Sequence, residues 1–187
     1  MRSALLLLSV VSPILAQVHV QMTFDSAPSQ SIVAAMQTQV KTLYRGTDIS
    51  FHWMEGGDIG PIPGHLLSLH LYGSCSGAGY EPRSDGLALA WTVKEHGGEV
   101  LPFIGLDCDL TRGIIGQQAD AIFGRALGYL VAHEIFHALT KTVRHGRGLM
   151  KSKLCTHDLL GNRLAFDAQE LAILAELQKQ LVVAAGE

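Results

Sequence analysis

The sequence predicts an α+β fold, with five strands and three helices in one domain, and three observations carry that reading. Short β-rich segments separated by Gly- and Pro-containing loops occupy most of the chain up to Leu106, with one helical stretch among them. A long apolar, helix-forming stretch follows from about Gln118 to Val143. A last amphipathic stretch begins near Asp167.

The elements follow in order. Val18–Phe24 alternates and reads as the first strand. From Ser29 to Leu43, Ile32, Val33, Met36, Val40 and Leu43 recur at helical spacing, and Gly46 closes the segment. Ile49–Met54 is the second strand, and Glu55–Pro63 a Gly/Pro-rich loop. Leu66–Tyr72 is the third strand, ending at Gly73-Ser74-Cys75, and Ser76–Asp85 a polar loop. Leu87–Val93 and Val100–Leu106 are strands four and five, joined by Lys94-Glu95-His96-Gly97-Gly98-Glu99, which has hairpin-turn chemistry. In the last helix Asp167 caps the start, Glu170 reciprocates three residues on, and Phe166 is placed to staple onto Leu171. Leu171, Ile173, Leu174, Leu177 and Leu181 make its apolar stripe.

Residues 1–16 read as a secretory signal peptide: Arg2, the apolar run Ala4–Val11, and Ala16 as the small residue before the cut. The domain is then 17–187. The apolar run is too short for a comfortable membrane span, and no Cys follows the cut to take a lipid. Export brings an oxidising compartment. Cys75 and Cys108 each follow an apolar strand, at the same end of two neighbouring parallel strands, so they are expected to pair and leave Cys155 over. The net charge is −3 and no basic run is long, which gives no indication of nucleic acid. The chain is read as a monomer, secreted or periplasmic, with no stable membrane insertion after the cut.

His133-Glu134-Ile135-Phe136-His137 sits inside the long apolar helix. Residues four apart share a helix face, so both imidazoles can reach one metal ion at the roughly 2.0–2.1 Å that zinc requires. Glu134, one position on, is turned away from the pair and is suited to hold and deprotonate a metal-bound water. Polar groups set in an apolar run need partners, and a metal supplies one. A catalytic zinc needs a third protein ligand and an open position. His145, eight residues after His137, is the first candidate, with the helix expected to end at the glycines behind it and turn the chain back. Glu170, His157 and Asp158 compete for that role. The run Lys141, Arg144, His145, Arg147 also suits a helix C-terminus by dipole alone.

The motif on a helix resembles that of the zincin metallopeptidases, and His145, Gly146 and Met150 behind it resemble the metzincin branch. There, H-E-x-x-H-x-x-G-x-x-H supplies three His, and a Met in a tight turn lies beneath the metal. Here Thr140 stands at the Gly position and Val143 at the third His position, so the resemblance is to a divergent member with a late third His. It implies a zincin-like fold: a mixed, mostly parallel five-stranded sheet, a long zinc-binding helix and a C-terminal helix. The fourth strand, near Leu87–Val93, would be an antiparallel edge along the cleft. It also implies one catalytic zinc ion on His133, His137 and His145, Glu134 as general base, and Met150 under the site. A peptide or protein substrate would lie along the edge strand. The resulting reading is an exported zinc metallopeptidase. Its rivals are a gluzincin-type peptidase using Glu170, a zinc hydrolase of another substrate, and a non-catalytic exported binding protein with a relic site.

Overall fold

The structure, a computed structural model, describes residues 16–56, 64–76 and 88–184, without the side chains of 182–184. The signal-peptide reading before Ala16 and most of the two expected loops lie outside the described residues. The elements are β1 (Ala16–Ser26), α1 (Gln30–Leu43), β2 (Ile49–Glu55), β3 (His65–Ser74), β4 (Ala90–Lys94) and β5 (Val100–Asp107), followed by α2 (Cys108–Ile115), α3 (Asp120–Thr140), a 3-10 turn (Gly148–Met150), α4 (Thr156–Leu160) and α5 (Ala168–Ala184).

The five strands form one sheet in the order β2-β1-β3-β5-β4. β1 pairs parallel with β2 and β3, and β3 parallel with β5, while β4 runs antiparallel to β5 and is an edge. This is the mixed sheet with an antiparallel edge expected above. β1 begins at Ala16, whose N–H bonds to Asp48 O and whose register partner is Ile49, so a cut after Ala16 falls within the first strand.

Alternation along the strands sends Val18, Val20 and Met22, then Leu67, Leu69 and Leu71, then Ile104 and Leu106 into one buried core. α1 contributes Ile32, Val33, Met36 and Val40 to it, and α3 is buried almost continuously from Phe123 to Leu139. A helix apolar all round belongs in a core. α3 packs closely on α1 because Gly124 and Gly128 face it: a Cβ at either would collide with the α1 backbone or the Gln39 side chain.

Cys75 and Cys108 form a disulfide at the ends of β3 and β5, as expected, and Cys155 is free and exposed. Beside the bridge the buried Arg112 guanidinium donates to Cys75 O at 2.8 Å and Gln118 O at 2.9 Å, and stands 3.5 Å over the Phe123 ring.

Four features differ from the sequence reading, one being α4, a short helix beyond the three expected. α2 is an additional helix, begun by Asp107, whose Oδ1 accepts from Leu110 N at 2.8 Å, and closed at Gly116. α3 ends at Thr140, with Lys141 left-handed at φ 54°, several residues before the glycines expected to stop it. In α5 the Asp167–Glu170 capping box forms, but Phe166 turns to Tyr44 and Phe136 and leaves Leu171 exposed. The buried stripe is Glu170, Leu174 and Leu181, with Leu177 half-buried and Ile173 exposed.

Candidate metal centre

α3 carries His133, Glu134 and His137, all buried. Helical spacing brings the two imidazoles together, with Nε2 to Nε2 at 3.0 Å. Each Nδ1 is turned to a backbone carbonyl: His133 to Leu149 O at 2.8 Å, His137 to Thr142 O at 2.7 Å. A carbonyl only accepts, so each Nδ1 carries the proton and donates it, and each Nε2 is left with its lone pair. Burial pushes both imidazoles toward the neutral form, His137 down to about 4 with help from the adjacent His133. Two lone pairs facing each other at 3.0 Å repel; a cation between them turns the repulsion into ligation. Two nitrogens on one tetrahedral zinc stand roughly 3.4 Å apart, so the donor set fits that ion with little movement.

His145 completes the group. Its ring centroid is 5.3 Å from that of His133 and 5.0 Å from that of His137. One nitrogen from each of the three rings lies within 4.8 Å of the others. Among the described residues this is the one group of three metal-ligating side chains with such spacing. The early end of α3 makes the approach possible. The chain reverses after Lys141, Thr142 O meets His137, and the return is tied by Gly146 N to Met150 O at 2.7 Å and Leu149 N to Ala165 O at 2.9 Å. Gly148 sits at φ 54°, and a Cβ there would strike Ala165 O, so this tight crossing requires glycine. Leu149 and Met150 are fully buried in the turn, and the Leu149 carbonyl is the one that orients His133.

Glu134 faces the edge strand. Its Oε2 accepts from Thr92 Oγ1 at 2.5 Å, and the same hydroxyl lies 3.3 Å from Glu134 O. Burial raises the carboxyl above its ordinary range, while the Thr92 hydrogen bond and the charges of His145 and Lys94 oppose that rise. Thr92 was not among the sequence candidates; the only local signal is its place on the same face of the strand as Ala90.

A groove runs between β4 and the segment after α3. It comprises two hollows, about 390 and 310 Å³, that share Ala88, Ala90, His133, Glu134 and Ser152 as lining.

The competing candidates are engaged elsewhere. Glu170 Oε2 accepts from Asp167 N at 2.7 Å, and its other oxygen lies against Gly146. Asp158 pairs with Lys151 at 2.7 Å, and His157 is exposed.

Neither a protein-family model nor a curated protein sequence matches the chain. Solved structures do. The fold is similar to that of an archaemetzincin from Methanopyrus kandleri, with TM-score 0.55 and 11% identity over 87% of this chain and 95% of that one. It is also similar to a zinc-dependent peptidase from Methanocorpusculum labreanum, with TM-score 0.54 and 11% identity over 84% of this chain and 99% of that one. At this identity the likeness shows the fold: the mixed five-stranded sheet with its antiparallel edge and the helices arranged around it.

Proposed function

We propose that the chain is an exported zinc metallopeptidase that cuts peptide bonds at the His133–His137–His145 site. The observation that carries this reading is the set of two inward-facing Nε2 lone pairs, with His145 beside them and the Glu134 carboxylate at the rim of the same groove. A zinc ion held there supplies Lewis acidity, acidifying a coordinated water and polarising a carbonyl.

The residues of the chain do the rest. The Leu149 and Thr142 carbonyls hold the His133 and His137 rings in the tautomer that presents Nε2. Thr92 holds one oxygen of Glu134, and the other takes the proton of the attacking water and passes it to the leaving amine. Burial raises the affinity of Glu134 for that proton. The outer edge of β4, which pairs with no other described strand, offers backbone groups to an extended peptide. The solved relatives, one a zinc-dependent peptidase, support the reading at the level of fold. The Cys75–Cys108 bridge supports an oxidising destination, in keeping with residues 1–16 as a signal peptide. Among the described residues no helix is long and apolar enough to cross a membrane.

Metal content and hydrolysis together test this. Wild type and Glu134→Gln are each expected to hold about one zinc per chain, with hydrolysis of an unfolded protein substrate by wild type only. Wild type purified without chelators yet free of zinc would sink the proposal.

A further inference from the structure

The chain has more acidic than basic residues, 17 against 14, but the segment after Glu134, part of which lines the groove, is the reverse. Between Glu134 and Asp158 there is no Asp or Glu, and Lys141, Arg144, Arg147, Lys151 and Lys153 all fall there. Two of these are engaged: Lys141 Nζ donates to Val100 O at 2.8 Å, and Lys151 pairs with Asp158. Lys153 is exposed, forms no ion pair with a described residue, and lines the hollow of about 390 Å³. Lys94, at the end of β4, is exposed, forms no ion pair with a described residue, and lines the hollow of about 310 Å³ from the opposite wall. Its charge is felt at Glu134, His137 and His145. Among the described residues Glu134 is the one carboxylate lining either hollow, and Thr92 holds it. β4 from Ala90 to Lys94 spans about 13 Å of extended chain, and the groove has one of these cations in each hollow and the Glu134 carboxylate common to both.

We propose that the groove selects peptides with acidic residues on both sides of the bond to be cut, Lys153 reading one side and Lys94 the other. The proposal rests on the peptidase reading for the cut and on the two lysines for the choice. An extended chain lying along β4 would pass both hollows, one lined by Lys153 and the other by Lys94. Each contact is exposed, so the preference is moderate and weakens with salt.

Three fluorescein-labelled peptides of one sequence test it, differing only in carrying Glu, Gln or Lys at the two positions on each side of a central Ala-Leu pair. Each is titrated onto the Glu134→Gln protein by fluorescence anisotropy and offered to wild type for cleavage. The Glu peptide is expected to bind about tenfold tighter than the Lys peptide at low salt, and the gap to narrow at 0.5 M NaCl. The double variant Lys94→Gln/Lys153→Gln should flatten the order with zinc content and melting temperature unchanged, and Lys94→Glu/Lys153→Glu should reverse it. Equal binding of the three peptides, binding by none, or displacement of the Glu peptide by a single-stranded oligonucleotide at lower concentration overturns the proposal. An intact binding order with no cleavage of any peptide by wild type rejects the peptidase reading instead.

Discussion

Thr92 on the edge strand donates its hydroxyl hydrogen to Glu134 Oε2 at 2.5 Å, tying the strand that would hold a substrate to the carboxylate that would act on it. The bond fixes one oxygen of the carboxylate and leaves the other for a proton. Thr92→Val keeps the shape and removes the donor. A hydrogen bond to a charged group contributes about 1.5–3 kcal/mol, so kcat is expected to fall roughly 10- to 100-fold, with KM and zinc content near wild type. Thr92→Ser restores the hydroxyl and should recover most of the rate. A Ser variant as slow as the Val variant would show that the methyl packing, and not the hydrogen bond, matters.

His145 and Glu170 make opposite predictions for zinc. Glu170 is committed to the N-terminus of α5, accepting from Asp167 N at 2.7 Å, while His145 stands in the imidazole group. His145→Ala is expected to weaken zinc by more than the roughly 10- to 100-fold that loss of an outer hydrogen-bond partner costs. Glu170→Gln should hold zinc like wild type and lower stability by about 1 kcal/mol through the weakened cap. Competition with a chelating dye, alongside thermal melts, reads both. Zinc lost in Glu170→Gln and kept in His145→Ala would move the third ligand to α5.

These two cases also mark what could be read from the sequence. His133, Glu134 and His137 were legible because a helix fixes their relative directions whatever surrounds it. His145 was legible as a candidate only. Its approach depends on α3 stopping at Thr140 and on Leu149 N meeting Ala165 O, contacts that no local pattern announces. The expected helix end at the glycines was late for the same reason: Lys141 takes the left-handed position, and the glycines serve the tight turn beyond. Thr92 reaches Glu134 across 42 positions of sequence, so nothing near either residue points to the other. The antiparallel edge and the mixed sheet came from the zincin resemblance, since alternation alone does not order strands.

The disulfide closes a separation of 33 residues between the ends of β3 and β5. In the loop-entropy account that contributes about 3–4 kcal/mol. Cys75→Ala/Cys108→Ala should therefore melt roughly 10 °C lower than wild type. Reduction of wild type should give a similar loss. Native wild type should show one thiol to a thiol reagent, Cys155, because the other two cysteines are paired. Three reactive thiols in native, unreduced protein would contradict the pairing.

Asp120 joins the first turn of α3 to the start of α1: its Oδ2 accepts from Ser29 Oγ at 2.5 Å and Ser31 Oγ at 2.9 Å. The Ser29 and Ser31 hydrogen bonds hold its carboxyl below the ordinary range. A depressed carboxyl binds its proton more weakly in the folded than in the unfolded chain. Its contribution is thus fully present above the unfolded value of about 3.9 and is lost as pH falls through the lower folded value. Asp120→Asn removes that term. Wild type is expected to melt above the variant from pH 5 to 7, with the gap closing as pH drops below about 4. Melting curves for the pair between pH 2.5 and 7 measure the gap, and a gap that stays constant across that range would show that the Asp120 charge does not stabilise the α1–α3 junction.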